Sequence, residues 1–257
     1  MTTGERADDR RVLRVTGADR TTFLQGLVTN DLRKLDRGPV YAAILTPQGK
    51  YLADFLLLAE PEAILIDVRA DLADALLRRL QMYRLRADVQ IAATELTVTR
   101  GLGTPPPGAV ADPRHAALGW RLYGGDPGTA PQIDWDGIRV ANCIPETGIE
   151  LIPDQTFILE AGFERLSGVD HRKGCYVGQE VTARMKHKTE LRKGLVTVEV
   201  SGPAEPGAEI TADGRPAGTL HTRSGDRAIA YLRFDRATGP MQAGEATVRW
   251  ADAETLA

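Results

Sequence analysis

The stretch from Val40 to Val68 restricts the fold more than any other part of the chain. "VYAAIL" and "YLADFLLL" flank "TPQGK", and "AILIDV" follows shortly after. These apolar runs of strand length predict an antiparallel hairpin with Gly49 in its turn, plus a third strand. "DLADALLRRLQMY" then changes the period. Leu72, Leu76, Leu80 and Tyr83 share one face of a helix, with Asp71 placed to cap it. Upstream, "RVLRV" reads as a strand. A helix carrying Phe23, Leu24, Leu27 and Val28 follows, with Asp19 near its start. Three strands, a helix and a strand ending at "ELTVTR" make an α+β unit with mostly antiparallel strands.

Beyond it the texture changes. "GTPPPG" and "GGDPG" break the segment from Gly101 to Gly128, with "LGWRLY" as a candidate strand inside it. After Leu191, "GLVTVEV", "AEITADGRPAGTLHTR", "AIAYLRF" and "ATVRW" are short β-rich runs separated by Gly, Pro and Asp turns. That spacing predicts a small terminal barrel or sandwich. A net charge of −3 argues against a surface that coats nucleic acid, so no direct nucleic-acid partner is expected. The polar start and the shortness of "ADFLLLA", the densest apolar run, give no membrane expectation. A cytoplasmic location follows as the default, or an organelle matrix if a targeting segment has been removed. Cys143 and Cys175 form no disulfide framework and read as free thiols.

Chemistry concentrates in "HRKGCYVGQEVTAR", His171 to Arg184. Gly174 and Gly178 can supply positive φ or a close backbone approach. "QEVTARMKHK" after Gly178 reads as a helix, with Glu180 near its start and Lys186 and Lys188 near its end to suit the dipole. A thiol at such a helix start, beside Lys173, is shifted toward thiolate. On composition alone Cys175 reads instead as a small buried hydrophobe. Metal binding has little support: His171 and Cys175 are four apart, but Gly174 between them breaks a regular helix. From Arg172 to Lys193 there are seven Lys or Arg against two Glu, a solvated face or a holder of a polyanionic tail or acidic partner.

"KGCYVGQEVTAR" resembles the signature of the YgfZ-type folate-binding proteins, relatives of the glycine-cleavage T-protein, an aminomethyltransferase. "VTGADRTTFLQGLVTNDL", "ILTPQGKYLADFLLL", "CIPETGIELIPDQTFILEAGF" and "RPAGTLHTRSGDRAIAYLRFD" extend the likeness over nearly the whole chain. The resemblance implies three domains in a cloverleaf around a central cavity for tetrahydrofolate or another reduced folate. Its domains would be 1–38 with 100–165, then 39–99 with 166–188, both α+β and interleaved, and a β-barrel over 189–257. It also implies a role in assembling or repairing iron–sulfur clusters. The partners would be client enzymes, including tRNA-modifying ones, or the cluster-assembly machinery.

Site residues carry over by position. Glu160 in "ILEAG" matches the T-protein carboxylate that holds the pterin, whose N–H edge suits a bidentate acceptor. Asp54 matches one of an Asp pair that the T-protein uses with the reacting carbon, and Ala53 stands where the other would be. That departure argues against aminomethyl transfer. Tyr176 and Arg184 join Glu160 and Asp54 as cofactor-binding candidates. Lys173, Gly174, Cys175, Gly178, Gln179 and Glu180 form the motif, with Gln179 and Glu180 fixing the loop by hydrogen bonds. With the resemblance, Cys175 becomes a functional thiol, with Asp54 the other catalytic candidate. Three functions follow: a folate-dependent accessory factor for iron–sulfur proteins, a one-carbon transferase, and an interaction protein with a vestigial cavity.

Overall fold

A computed structural model of the chain describes residues 4–125, 128–188 and 190–251. Asp126 and Pro127 of "GGDPG", Thr189 and residues 252–257 of the expected barrel domain lie outside them, as does the Lys188 side chain. In chain order the elements begin with β1 (Gly4–Arg6), β2 (Arg10–Thr16), α1 (Arg20–Gln25), β3 (Val40–Leu45), β4 (Tyr51–Glu60) and β5 (Ala63–Arg69). Next come α2 (Ala70–Tyr83), β6 (Gln90–Ala93), β7 (Val98–Gly101), β8 (Val110–Ala111), β9 (Trp120–Tyr123), α3 (Trp135–Ala141) and α4 (Gln179–Lys188). The last are β10 (Lys193–Ser201), β11 (Glu209–Ala212), β12 (Arg215–Ser224), β13 (Arg227–Arg233), β14 (Met241–Ala243) and β15 (Ala246–Arg249).

The chain divides into two compact units. One comprises the described residues of Met1–Ile133 with Phe163–Val181; the other comprises those of Asp134–Gly162 with Thr182–Ala257. The first holds two antiparallel sheets, ordered β3-β4-β5-β2-β6 and β1-β7-β9-β8. One face of the larger sheet packs Leu13, Val15, Phe55, Leu57, Ile66 and Val68 against α1 and α2, where Ala73, Leu76 and Leu80 are buried. β3, β4 and β5 read as near-continuous apolar runs, broken by Asp54 and Asp67, because their other face is buried as well.

That second face carries the buried polar groups. Register places Leu56 opposite both Tyr41 and Asp67, so Tyr41, Asp54, Leu56 and Asp67 share a face. Asp67 accepts from Arg10 Nε at 2.7 Å, from Arg121 Nη1 at 3.0 Å and from Tyr123 Oη at 2.7 Å. Arg10 belongs to the same sheet, and Arg121 and Tyr123 to β9 of the other. Arg121 Nε reaches Asp112 Oδ2 at 3.0 Å, and Asp112 in turn takes two hydrogen bonds from the Arg114 side chain and one from its backbone N–H. Burial alone would raise the Asp67 pKa, but the Arg10 and Arg121 charges and the hydrogen bonds lower it, and Asp112 is lowered in the same way by Arg114 and Arg121.

Several expectations are corrected. The strand following α2 in its own sheet is Gln90–Ala93, whereas "ELTVTR" supplies β7 to the smaller sheet. Asp19 caps nothing with its side chain; its carboxylate accepts from the Asp88 N–H at 2.8 Å. α1 stops at Gln25, so Leu27 and Val28 are buried beyond its end. Asp71 lies inside the first turn of α2, paired with Arg69.

In the second unit, β10-β13-β12-β11-β14-β15 closes into a six-stranded barrel, deciding between barrel and sandwich. Its core is small and aliphatic, with Val198, Leu220, Ala230, Leu232 and Val248 among the residues inside. α3 is fixed to β12 by Arg139, which donates to Glu150 Oε2 and Thr222 Oγ1 at 3.2 and 3.1 Å.

Arg121 is the only cation bridging Asp67 and Asp112 among the described residues, so Arg121→Met leaves both carboxylates short of a partner in the core. The expected loss is about 3–5 kcal/mol, read from the denaturant midpoint. A loss below about 1 kcal/mol would mean that the bridge does not hold the two sheets.

Candidate functional site

The site begins at the β3–β4 turn. Thr46 N–H donates to Lys50 O at 2.8 Å and Gly49 N–H to Thr46 O at 2.9 Å, closing the turn with Gly49 at φ +76°. The pairing skips a residue beside it: Ile44 faces Ala53, but Leu45 faces Tyr51. In a regular strand Tyr51 and Asp54, three apart, would point to opposite faces. The bulge at Leu52 brings them to the same one. Tyr51 Oη donates to Asp54 Oδ1 at 2.7 Å, and Tyr41 Oη, diagonal to it across the pair, donates to Oδ2 at 3.0 Å. Asp54 is 5% exposed, not solvent-facing as strand alternation allows. Burial, then the Asp54 charge, raises the Tyr41 pKa well above its ordinary value, so Tyr41 stays a donor. Its ring stacks on Phe163 at 5.0 Å between centroids, with the Arg114 guanidinium 5.7 Å above it.

The cysteine loop docks on the tip of this hairpin. Gly178, at φ +84°, lies so close that an added Cβ would stand 2.5 Å from Thr46 O and 2.9 Å from Leu45 Cβ. A Cβ on Gly49 would meet Val181 Cβ of α4 at 2.8 Å. Two glycines thus let turn and loop interlock. Gly174, at φ +86°, has open space around it and serves the loop's path alone.

Lys173 anchors the loop from within. It is 3% exposed, and its Nζ donates to Gln25 O and Val28 O, both at 2.5 Å, at the end of α1. The ammonium also lies 4.8 Å from the centroid of the buried Tyr176 ring. The lysine charge is therefore committed to two carbonyls and a ring, a burial that composition does not suggest. Burial lowers its pKa to about 8, with Asp31 and Asp170 opposing. Cys175, two residues on, is an exposed free thiol, and Cys143 is a half-buried cysteine outside any disulfide.

The remaining candidates are spread out. Gln179 N–H closes the loop onto Tyr176 O at 3.2 Å, but neither the Gln179 nor the Glu180 side chain hydrogen-bonds another described residue. The loop is fixed by Lys173 and the glycines instead. Arg184 is exposed on α4. His171 pairs with Glu164 at 3.1 Å. Among the described residues no group of three or more His, Cys, Asp or Glu is placed to hold a metal ion, and no helix is long and apolar enough to cross a membrane.

Glu160 belongs to the second unit. It sits in a turn, 9% exposed, and its carbonyl accepts from Leu195 N–H of β10 at 2.8 Å. Its Oε2 accepts from Tyr231 Oη at 2.6 Å, while Oε1 has Lys193 Nζ at 3.9 Å. Burial and this hydrogen bond raise the Tyr231 pKa. Sequence reasoning missed Tyr41, Tyr51, Arg114 and Tyr231. A lone Asp inside the apolar run "YLADFLLL" was the available signal for the first three, since a buried carboxylate needs donors. Nothing in the sequence signals a partner 71 positions from Glu160.

Two outcomes follow. Gly174→Ala bears only the left-handed φ, about 1–2 kcal/mol, whereas Gly178→Ala adds the overlap with Thr46 O and loses clearly more stability in chemical denaturation. Equal losses would contradict the interlock. For Lys173, the folded protein releases the proton near pH 8 and the unfolded chain near the ordinary 10.5. The unfolded state therefore binds more protons across that window, and stability rises with pH. The stability difference between the wild type and Lys173→Met should shift in favour of the wild type from pH 8 to 10, and a flat difference would refute the buried charge.

Comparisons with known proteins place this geometry. Residues 192–256 match the family model described as CAF17, C-terminal beta-barrel domain. The crystal structure of the glycine cleavage system aminomethyltransferase T from Bartonella henselae superposes with a TM-score of 0.77 over 95% of this chain and 83% of that one. At 14% identity this establishes the fold: a T-protein-like mix of helix and sheet ending in a barrel. In sequence, the chain is 33% identical to the mitochondrial iron-sulfur cluster assembly factor IBA57 of Mus musculus, over 92% of this chain and 79% of that protein. The Homo sapiens protein of that name is 32% identical with the same coverage, and the Pyricularia oryzae homologue 29% identical over 92% and 73%. The YgfZ-type proteins are close relatives of this group, and the chain belongs to the family of IBA57-type iron–sulfur cluster assembly factors.

Proposed function

We propose that the chain is a reduced-folate-binding accessory factor for assembly or repair of iron–sulfur clusters, with Cys175 as the sulfur ligand offered to a cluster or its iron in transit. The observation that carries this reading is an exposed thiol on a loop whose neighbouring lysine is buried and spent on anchoring. An exposed, fixed cysteine can meet a partner's cluster without the chain holding a cluster of its own. The partners are cluster-assembly proteins or client enzymes, tRNA-modifying ones among them. The relatives are named as mitochondrial, which supports the organelle-matrix alternative to the cytoplasm for this chain.

The folate reading rests on fit. Glu160 offers a nearly buried carboxylate whose Oε1 has, among the described residues, only Lys193, at 3.9 Å, and each of its oxygens keeps a lone pair for a pterin N–H. Tyr231 orients it and Lys193 lies at hand for an anionic tail. Tetrahydrofolate, when bound, would supply one-carbon or reducing chemistry. The cloverleaf arrangement and the cavity implied by the resemblance belong to this proposal. The transferase alternative is less favoured. Asp54 already accepts a hydrogen bond on each oxygen, and Ala53 supplies no second carboxylate.

The test is anaerobic calorimetric titration with tetrahydrofolate for the wild type, Glu160→Ala and Cys175→Ser, beside restoration of cluster-enzyme activity in cells lacking the factor. Saturable binding that Glu160→Ala weakens about tenfold or more and Cys175→Ser leaves intact, with restoration lost in Cys175→Ser, is the expected result. Absence of binding by the wild type would overturn the folate part. Full restoration by Cys175→Ser would overturn the role of the thiol.

A further inference from the structure

α2 ends in a way that its own stability does not explain. Tyr83 is its last residue and Arg84 its C-cap, and Leu85 follows in the left-handed region at φ +44°. That position after a helix is where glycine is strongly favoured, because a Cβ is strained there. A leucine can be repaid by burying its side chain, but Leu85 is 87% exposed. Met82, three residues earlier, is 67% exposed. Of the large hydrophobic residues exposed among the described ones, two of three are this pair, the third being Ile149 at 39%.

The segment that carries the pair is basic. From Ala75 to Ala87 there are four arginines, Arg78, Arg79, Arg84 and Arg86, and no Asp or Glu. Arg84 Nη1 donates to Val89 O at 3.3 Å, while Arg78, Arg79 and Arg86 pair with no carboxylate among the described residues. The flanking carboxylates are engaged elsewhere: Asp74 pairs with Arg11, and Asp88 accepts from the Ala18 N–H. Two exposed apolar side chains in a segment with three arginines that pair with no carboxylate among the described residues form a protein-docking surface in miniature, an apolar anchor with a charged rim.

We propose that Met82 and Leu85, with Arg78 and Arg86, dock an acidic segment of a partner protein that inserts apolar side chains between its carboxylates. Charge complementarity selects the acidic partner, and the strained leucine selects an apolar contact at its centre. A nucleic-acid backbone would use the arginines and leave both apolar side chains unexplained. A bilayer would call for a longer apolar face with aromatic anchors, and this turn presents two aliphatic chains. The surface adds a partner site to the cluster-assembly reading, and its readouts involve neither folate nor Cys175.

The experiment places a photo-crosslinking side chain, Leu85→p-benzoylphenylalanine, in the full chain in its source cells, with Arg227→p-benzoylphenylalanine on the barrel as an exposed control. The adduct is mapped by mass spectrometry. The expected result is a position-85 adduct to a protein segment in which Asp or Glu adjoin aliphatic or aromatic residues. Its yield should fall about tenfold when Arg78→Glu and Arg86→Glu are added. An adduct to nucleic acid, to lipid, to a second copy of this chain or to a segment without carboxylates would overturn the proposal. So would a yield no greater than the control's, or one indifferent to charge reversal. A second arm measures Leu85→Gly: an unchanged or higher Tm is expected, and a lower Tm would show that Leu85 serves the fold and overturn the argument.

Discussion

Asp67 is fully buried on β5, and the first unit is organised around it. A carboxylate there is tolerable only if every lone pair it turns inward finds a donor. Arg10 supplies one from the neighbouring strand, and Arg121 and Tyr123 supply others from the second sheet. The demand of one side chain thus fixes which face of β9 must look at which face of β5. Hydrophobic burial would accept many sliding arrangements of two sheets; a paired charge accepts few. From Arg121 the chain of contacts runs through Asp112 and Arg114 to the Tyr41 ring and so to Asp54. The candidate carboxylate is the far end of the network that aligns the sheets.

The cysteine loop uses a different device. Its residues have no strand pairing to hold them, so position comes from one long side chain reaching inward and from two glycines that allow backbones to touch. Lys173 gives a partner to the carbonyl of Gln25, the last residue of α1, and to that of Val28 beyond it. The loop's most polar member is therefore internal, and its softest nucleophile is outside. The placement of Cys175 follows from what its neighbours bury.

Much of this was legible in the sequence, and unevenly. The hairpin, α2, α4 and the strands of the barrel follow from period and turn residues, because those signals are local. The positive φ values at Gly49, Gly174 and Gly178 were legible for the same reason. What stayed hidden was non-local. "ELTVTR" has the pattern of a strand, but nothing in it states which sheet it joins. Lys173 reads as a solvated charge until Gln25 and Val28 arrive from almost 150 positions away. Asp19 and Asp71 have cap-like spacing, yet one was taken by Asp88 and the other by Arg69. Asp54 carried a warning, being the sole charge in an apolar run, and the bulge at Leu52 that turns Tyr51 toward it is a matter of register that composition does not encode.

Fold and chemistry separate at Asp54. The T-protein fold is present at a TM-score of 0.77, and a fold by itself does not fix the chemistry done on it. Proton transfer, however, needs a carboxylate with an oxygen open toward the reacting atom. Here one oxygen accepts from Tyr41 and the other from Tyr51, and the tyrosines are fixed by stacking and by a bulge. Taking up a proton would weaken Asp54 as the acceptor of two buried tyrosine hydroxyls, a cost in stability. A carboxylate in that position organises its surroundings more readily than it reacts. The Cys175 thiol, by contrast, is exposed on its loop, and the reading proposed for it needs no enclosed site.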